Sequence, residues 1–170
     1  MIKKTPTWFE CNLMMADSDD LDGLLSDNEL LLDSNTRNAY FYKVPVKLEA
    51  QEYKFLKAVL NRHGNRISCE KVMKQIKSTC KPELAKNLSY KIKSRIKGKF
   101  KKEFYRMYAD EKVLCDPNND NWYVYDREWQ TNFFIKYNTK IPYQKIPFSV
   151  AFDMLLSVDG GEYQTNFMRK

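Results

Sequence analysis

The segment Lys81–Lys102, KPELAKNLSYKIKSRIKGKFKK, constrains this chain more than any other. Leu84, Leu88, Ile92 and Ile96 recur every four residues. Lys86, Tyr90, Lys93 and Lys97 recur at spacings of four, three and four. A period near 3.6 places each set along one side of a single helix. One side is therefore expected to dock on a core and the other to face solvent with a dense positive charge. Pro82 suits the first turn, and Gly98 is a candidate early stop.

Charge is unevenly divided along the 170 residues. Residues 1–42 carry 3 basic and 8 acidic side chains, residues 43–105 carry 18 and 5, and residues 106–170 carry 8 and 9. The formal net charge of +7 is thus the residue of a strongly basic centre between acidic or neutral flanks. A concentrated cationic block is the electrostatic footprint expected of a polyanion binder. A 43% apolar content suits a folded domain with a real core. There is no signal-peptide pattern at the N-terminus and no apolar run near 18 residues, so the expectation is a cytoplasmic protein without a membrane span. Four scattered cysteines (Cys11, Cys69, Cys80, Cys115) and one histidine (His63) offer no paired metal-ligand spacing, so no metal or cofactor is expected. No phosphate-binding glycine loop or nucleophile–base pair is present, and His63 reads as a helix-end residue beside Gly64. The chain is read as a non-enzyme.

Along the chain, Ala39–Leu48 has strand character, with Pro45 implying an edge strand or two short pieces. Glu49–His63 reads as a helix ending at Gly64, Arg66–Ile67 as an extended link, and Ser68 as the N-cap of a second helix with Val72, Met73 and Ile76 inward. The basic helix follows. Lys112–Cys115 and Trp122–Tyr125 flank the turn-forming run Asp116–Asn121 and read as a β-hairpin. A further helix is expected from Ser149. The segmentation expected is an acidic amphipathic stretch at 1–37, a DNA-binding domain at 38–126, and an aromatic-rich extension at 127–170 that packs on the domain or binds a partner.

Strand, helix, link, helix, basic helix, hairpin is the plan of an α+β winged helix-turn-helix: a three-helix core with a β-hairpin wing, here with N- and C-terminal extensions. Leu48-Glu-Ala-Gln-Glu52-Tyr-Lys-Phe-Leu56, Asn65-Arg-Ile-Ser68-Cys-Glu-Lys-Val72 and Asn87-Leu-Ser-Tyr-Lys-Ile92-Lys-Ser-Arg95-Ile-Lys97-Gly-Lys-Phe100 resemble the helix entry, link and recognition helix of the DNA-binding effector domains of two-component response regulators. Glu49 stands where that family usually has threonine, the arginine usual after Ser68 is absent, the hairpin lacks the family's Gly-x-Gly-Tyr, and 36 upstream residues are too few for a receiver domain. The resemblance implies a DNA-binding winged helix, as in a transcription regulator, without phosphorelay control. Helix 82–100 is expected to contact double-stranded DNA through Lys86, Asn87, Tyr90, Lys91, Lys93, Ser94, Arg95, Lys97, Lys99 and Lys101, the lysines on phosphates and Asn87, Tyr90, Ser94 and Arg95 on base edges or phosphates. The alternative is a protein-interaction module, for example one binding the transcription machinery or polymerase through the acidic N-terminus or the aromatic C-terminal part.

Two further patterns lie in the acidic stretch. Ser18-Asp-Asp-Leu-Asp-Gly23-Leu-Leu-Ser-Asp-Asn-Glu29 follows the spacing of an EF-hand calcium loop apart from Ser18 at its first position. The same stretch is also a candidate to fold over the basic helix and block it.

Overall fold

The computed structural model describes residues 5–108, 115–116, 121–125 and 145–170. A five-stranded mixed sheet is built from β1 (Thr7–Cys11), β2 (Leu30–Asp33), β3 (Asn38–Phe41), β4 (Val44–Lys47) and the C-terminal β11 (Met168–Arg169), in the order β11-β1-β2-β3-β4. β1 runs parallel to β2 and to β11, and β2, β3 and β4 are successive antiparallel neighbours. The connection from β1 to β2 is a short 3-10 turn (Leu13–Met15) and α1 (Ser18–Asp27).

The two-piece reading of Ala39–Leu48 holds. Tyr42 and Lys43, both at positive φ, make the two-residue reversal between β3 and β4. Pro45 sits on the edge strand β4, where no ladder donor is required of it. The sheet crosses position 37, because Leu30–Leu32 pair with Ala39–Phe41. It also takes in the C-terminus, because Thr7 and Trp8 pair with Met168 and Arg169. The acidic stretch and the last residues therefore belong to the same sheet as the strand at 38–41.

Alternation divides β2 between two faces. Leu30 and Leu32 join the main core with Trp8, Phe41, Val44 and Val46, while Leu31 is buried outside that cluster. α1 packs against β2, and its leucines are not part of the main core, so it covers the opposite face from the helices described next. This overturns both patterns read in the acidic stretch. Ser18–Asp27 is helical, capped by Asp17 accepting from the Asp20 amide at 2.9 Å, so its carboxylates do not converge as a calcium loop requires. Glu29 instead accepts from the Thr7 amide at 2.8 Å. The stretch lies behind the sheet and not over the basic helix.

On the core face lie α2 (Ala50–Leu60), α3 (Cys69–Ile76) and α4 (Pro82–Tyr108). Glu52 accepts from the Glu49 amide at 2.9 Å at the start of α2. α2 ends at Leu60 with Asn61 as its C-cap, short of the expected end at His63, so Gly64, at φ +86°, belongs to the turn that follows and does not cap the helix. Ser68 caps α3 by accepting from the Lys71 amide at 3.2 Å, as its position implies. β5 (Ile67–Ser68), between α2 and α3, pairs with β10 (Glu162–Gln164), which pairs in turn with β9 (Ser157–Asp159). Trp122–Tyr125 does not occupy that place. It belongs to β7 (Asn121–Tyr125), which pairs with β6 (Cys115–Asp116) and with β8 (Lys145–Pro147). The expected pairing around Asp116–Asn121 is thus present, but the strand that closes on the three helices comes from the C-terminal hairpin. α5 (Phe148–Leu155) precedes that hairpin, close to where a helix was expected. Residues 1–4, 109–114, 117–120 and 126–144 lie outside the described residues, and with them all but Cys115 of the strand expected at Lys112–Cys115 and the turn expected after it.

A candidate nucleic-acid interface on α4

α4 is continuous for 27 residues, so Gly98 does not end it. A Cβ at Gly98 would meet nothing within 4 Å, which places this position in open space. The buried line is Ala85, Ser89, Ile92, Ile96 and Phe100, and not Leu84, Leu88, Ile92 and Ile96: Leu84 is 50% exposed. A strict spacing of four overruns a 3.6-residue turn and drifts around the helix, and the packed line corrects the drift with one step of three. The hidden member is polar. Ser89 donates to the Lys86 carbonyl at 2.8 Å and receives the Tyr163 hydroxyl at 3.0 Å, an internal tie between α4 and β10 that satisfies both hydroxyls.

At about 100° per residue, the direction opposite this line is taken by Asn87, Ser94 and Gly98. Asn87 and Ser94 are exposed. Cationic residues border this narrow ridge on both flanks. On one flank stand Lys86, Tyr90, Lys93 and Lys97, and on the other Lys91, Arg95, Lys99 and Lys102, with Lys101 beside the ridge and half-buried.

The two flanks differ in what holds them. Lys86 lies 5.9 Å from the Tyr90 ring, and Tyr90 meets Tyr163 edge-on at 6.3 Å, so Tyr90 is half-buried support and not a free stacking surface. Lys97 lies 5.9 Å over Phe152 of α5. Burial pushes the Lys93 ammonium below its usual range, opposed by Asp153 and reinforced by Lys97. On the other flank, Arg95 donates to the Gln51 side chain at 2.9 Å and lies 3.8 Å from the Glu52 carboxylate. Lys99 is 2.5 Å from Glu52 and 3.9 Å from Glu49. Glu52 is fully buried, so its charge is held by these two cations and by the Glu49 amide.

Of the ten positions expected to meet DNA, Lys86, Asn87, Lys91 and Ser94 stand exposed, Arg95 is exposed but tied to α2, and Tyr90, Lys93, Lys97, Lys99 and Lys101 are half-buried. Lys71, Lys74, Lys77 and Lys81, exposed on α3 and the link into α4, extend the basic surface beyond the ten expected positions, and their close spacing before Pro82 is the sequence signal for it. The C-terminal hairpin was also missed, although Gly160–Gly161 between Val158 and Tyr163 is a two-residue turn signal. Its tip carries Asp159 and Glu162, with Arg66 3.9 Å from Glu162, so it presents no surplus of positive charge.

Other polar clusters are structural. Asp33 takes the Thr36 hydroxyl at 2.6 Å and the Asn35 and Leu13 amides at 3.0 and 3.1 Å, and these bonds overcome the upward push of burial and hold its carboxyl below the usual range. Among the described residues no three His, Cys, Asp or Glu side chains are grouped to hold a metal ion, and no helix is long and apolar enough to cross a membrane. Comparison with protein-family models, with curated proteins and with solved structures returns no match for this chain.

Proposed function

We propose that the chain is a winged-helix DNA-binding protein, acting as a transcription regulator, with α4 as its recognition helix. The observation that carries this is the surface of α4: a ridge of small polar residues, Asn87, Ser94 and Gly98, between two rows of lysine and arginine, backed by a fully packed core line. The order α2, β5, α3, α4, β9, β10, with the ladder β5-β10-β9, supports the winged-helix part. Small side chains let the helix approach a groove closely, and the flanking cations neutralise phosphates on either side and release counterions. The Asn87 amide has the donor and acceptor pair that matches an adenine edge. Because the hairpin tip is acidic, the helix and the lysines of α3 carry the contact, and the hairpin serves to brace α4 through Tyr163.

The test is fluorescence anisotropy with random duplex DNA, single-stranded DNA and RNA in parallel, on wild type and Lys86→Glu/Lys91→Glu. About six phosphate contacts imply roughly a thousandfold loss of duplex affinity between 50 and 200 mM salt. The double variant is expected to lose duplex binding and keep its thermal stability. Equal affinity of variant and wild type, or a shallow salt slope, overturns the proposal, and tighter binding to RNA reassigns the ligand.

A further inference from the structure

Among the described residues, Leu84 is the one large apolar side chain of α2, α3 and α4 that stands exposed. Ala85 takes the inward place beside it, and Leu84 is not part of the packed core. Leu88, one turn on, is half-buried and packs against that core. Leu84 and Asn87 are three residues apart, about 60° around the helix and about 4.5 Å along it, so they are neighbours on one surface. Lys91 follows Asn87 by one turn on the same side.

The exposed face of α4 changes character along its length. Up to Ser94 it mixes a carboxylate (Glu83), an aliphatic group (Leu84), an amide (Asn87) and a hydroxyl (Ser94) with lysines. Beyond Ser94 the exposed residues, among those described, are Arg95, Gly98, Lys102 and Arg106. Phosphates match the second half of this face and not the first. Glu83, about 40° from Asn87 on the side away from Leu84, is repelled by phosphate and is satisfied in a duplex only by an amino group on a base edge. An aliphatic side chain gains nothing from a phosphate either. The apolar group that a major groove offers it is the C5-methyl of thymine. Base pairs follow one another about 3.4 Å apart, so Leu84 and Asn87 address the same or adjoining pairs.

We propose that Leu84 is a specificity-determining residue: it packs on a thymine methyl in the base pair that Asn87 reads or in the next one, so α4 selects A·T pairs in duplex DNA. This rests on the reading of α4 as a DNA recognition helix. Uracil carries no such methyl, and the major groove of A-form RNA does not admit side chains, so the same contact selects DNA over RNA.

Fluorescence anisotropy of the full chain on three duplexes of equal length tests it: alternating A·T, the same duplex with uracil in place of thymine, and alternating G·C, each at several salt concentrations. Wild type is expected to bind the thymine duplex about fourfold more tightly than the uracil duplex, the factor for one buried methyl group, and the G·C duplex more weakly than the thymine duplex. Leu84→Ala and Leu84→Gln are expected to bind the thymine and uracil duplexes alike, with the salt slope and thermal stability of wild type, because Leu84 is uncharged and outside the core. Wild type that binds all three duplexes equally, with a steep salt slope, overturns the role of Leu84 and leaves the duplex reading standing. A thymine preference of the same size in both Leu84 variants also overturns it, since the methyl then acts through duplex shape. Failure to bind any of the three duplexes overturns both the role of Leu84 and the reading beneath it.

Discussion

Glu52→Gln isolates the link between the core and the basic helix. Glu52 is fully buried, 2.5 Å from the Lys99 ammonium and 3.8 Å from the Arg95 guanidinium, and it accepts from the Glu49 amide. Glutamine keeps the volume and an acceptor for that amide but removes the charge. Breaking a buried ion pair costs about 3–5 kcal/mol when the surviving charge is stranded. Here the survivors are not stranded: the Lys99 side chain is 35% exposed and that of Arg95 50%. Both can turn to water, so the loss falls toward that of one charge-assisted hydrogen bond, about 1.5–3 kcal/mol, or roughly 4–8 °C in Tm for a chain of this size. The same change frees two cations on the flank of α4. If both reach phosphates, the slope of log affinity against log salt steepens by about 1.8, and the variant loses about twelvefold more affinity than wild type between 50 and 200 mM salt. Thermal melts followed by circular dichroism and anisotropy titrations at several salt concentrations read the two effects. A variant that is less stable but binds duplex with an unchanged or shallower salt slope refutes the claim that Glu52 withholds Arg95 and Lys99 from a polyanion.

Two buried tyrosines set an alkaline limit on stability. Burial, helped by the hydrogen bond to Glu10, drives the Tyr53 phenol well above its ordinary range, and burial does the same for Tyr163 against the opposing bond to Ser89. A raised folded-state value leaves stability intact below the unfolded value near 10 and removes it as pH climbs above, at about 1.4 kcal/mol per pH unit for each tyrosine. Tyr163→Phe is therefore expected to cost about 0.5–1.5 kcal/mol at neutral pH and to make the alkaline decline shallower; urea melts between pH 7 and 11 check this, and an unchanged decline contradicts it. Gly98→Ala adds a Cβ in open space inside α4 and is expected to raise stability by about 0.5–1 kcal/mol, whereas a lower Tm speaks against a helix that continues through this position.

The elements written in local chemistry were legible from the chain alone. Ser68 starts α3, Pro82 stands in the first turn of α4, and Pro45 confines its strand to an edge; each acts within a few residues of itself. The mixed α+β character and the concentration of positive charge on one helix were legible for the same reason. What lies across the chain was not. Leu84 and Ala85 differ by one residue, about 100° of rotation, and only packing against Tyr163, Phe152 and Phe41 selects which faces inward. The strand that closes on β5 comes from residues 162–164 and not from the nearer Trp122–Tyr125, because sheet pairing is chosen by proximity in the fold and not along the chain. Ten positions on α4 were also expected to contact DNA on equal terms. The tertiary structure divided them, spending Arg95 and Lys99 on a buried glutamate from α2 and folding Lys93 and Lys97 beside α5, since a buried carboxylate and an aromatic face each draw a nearby cation out of the solvent-facing set.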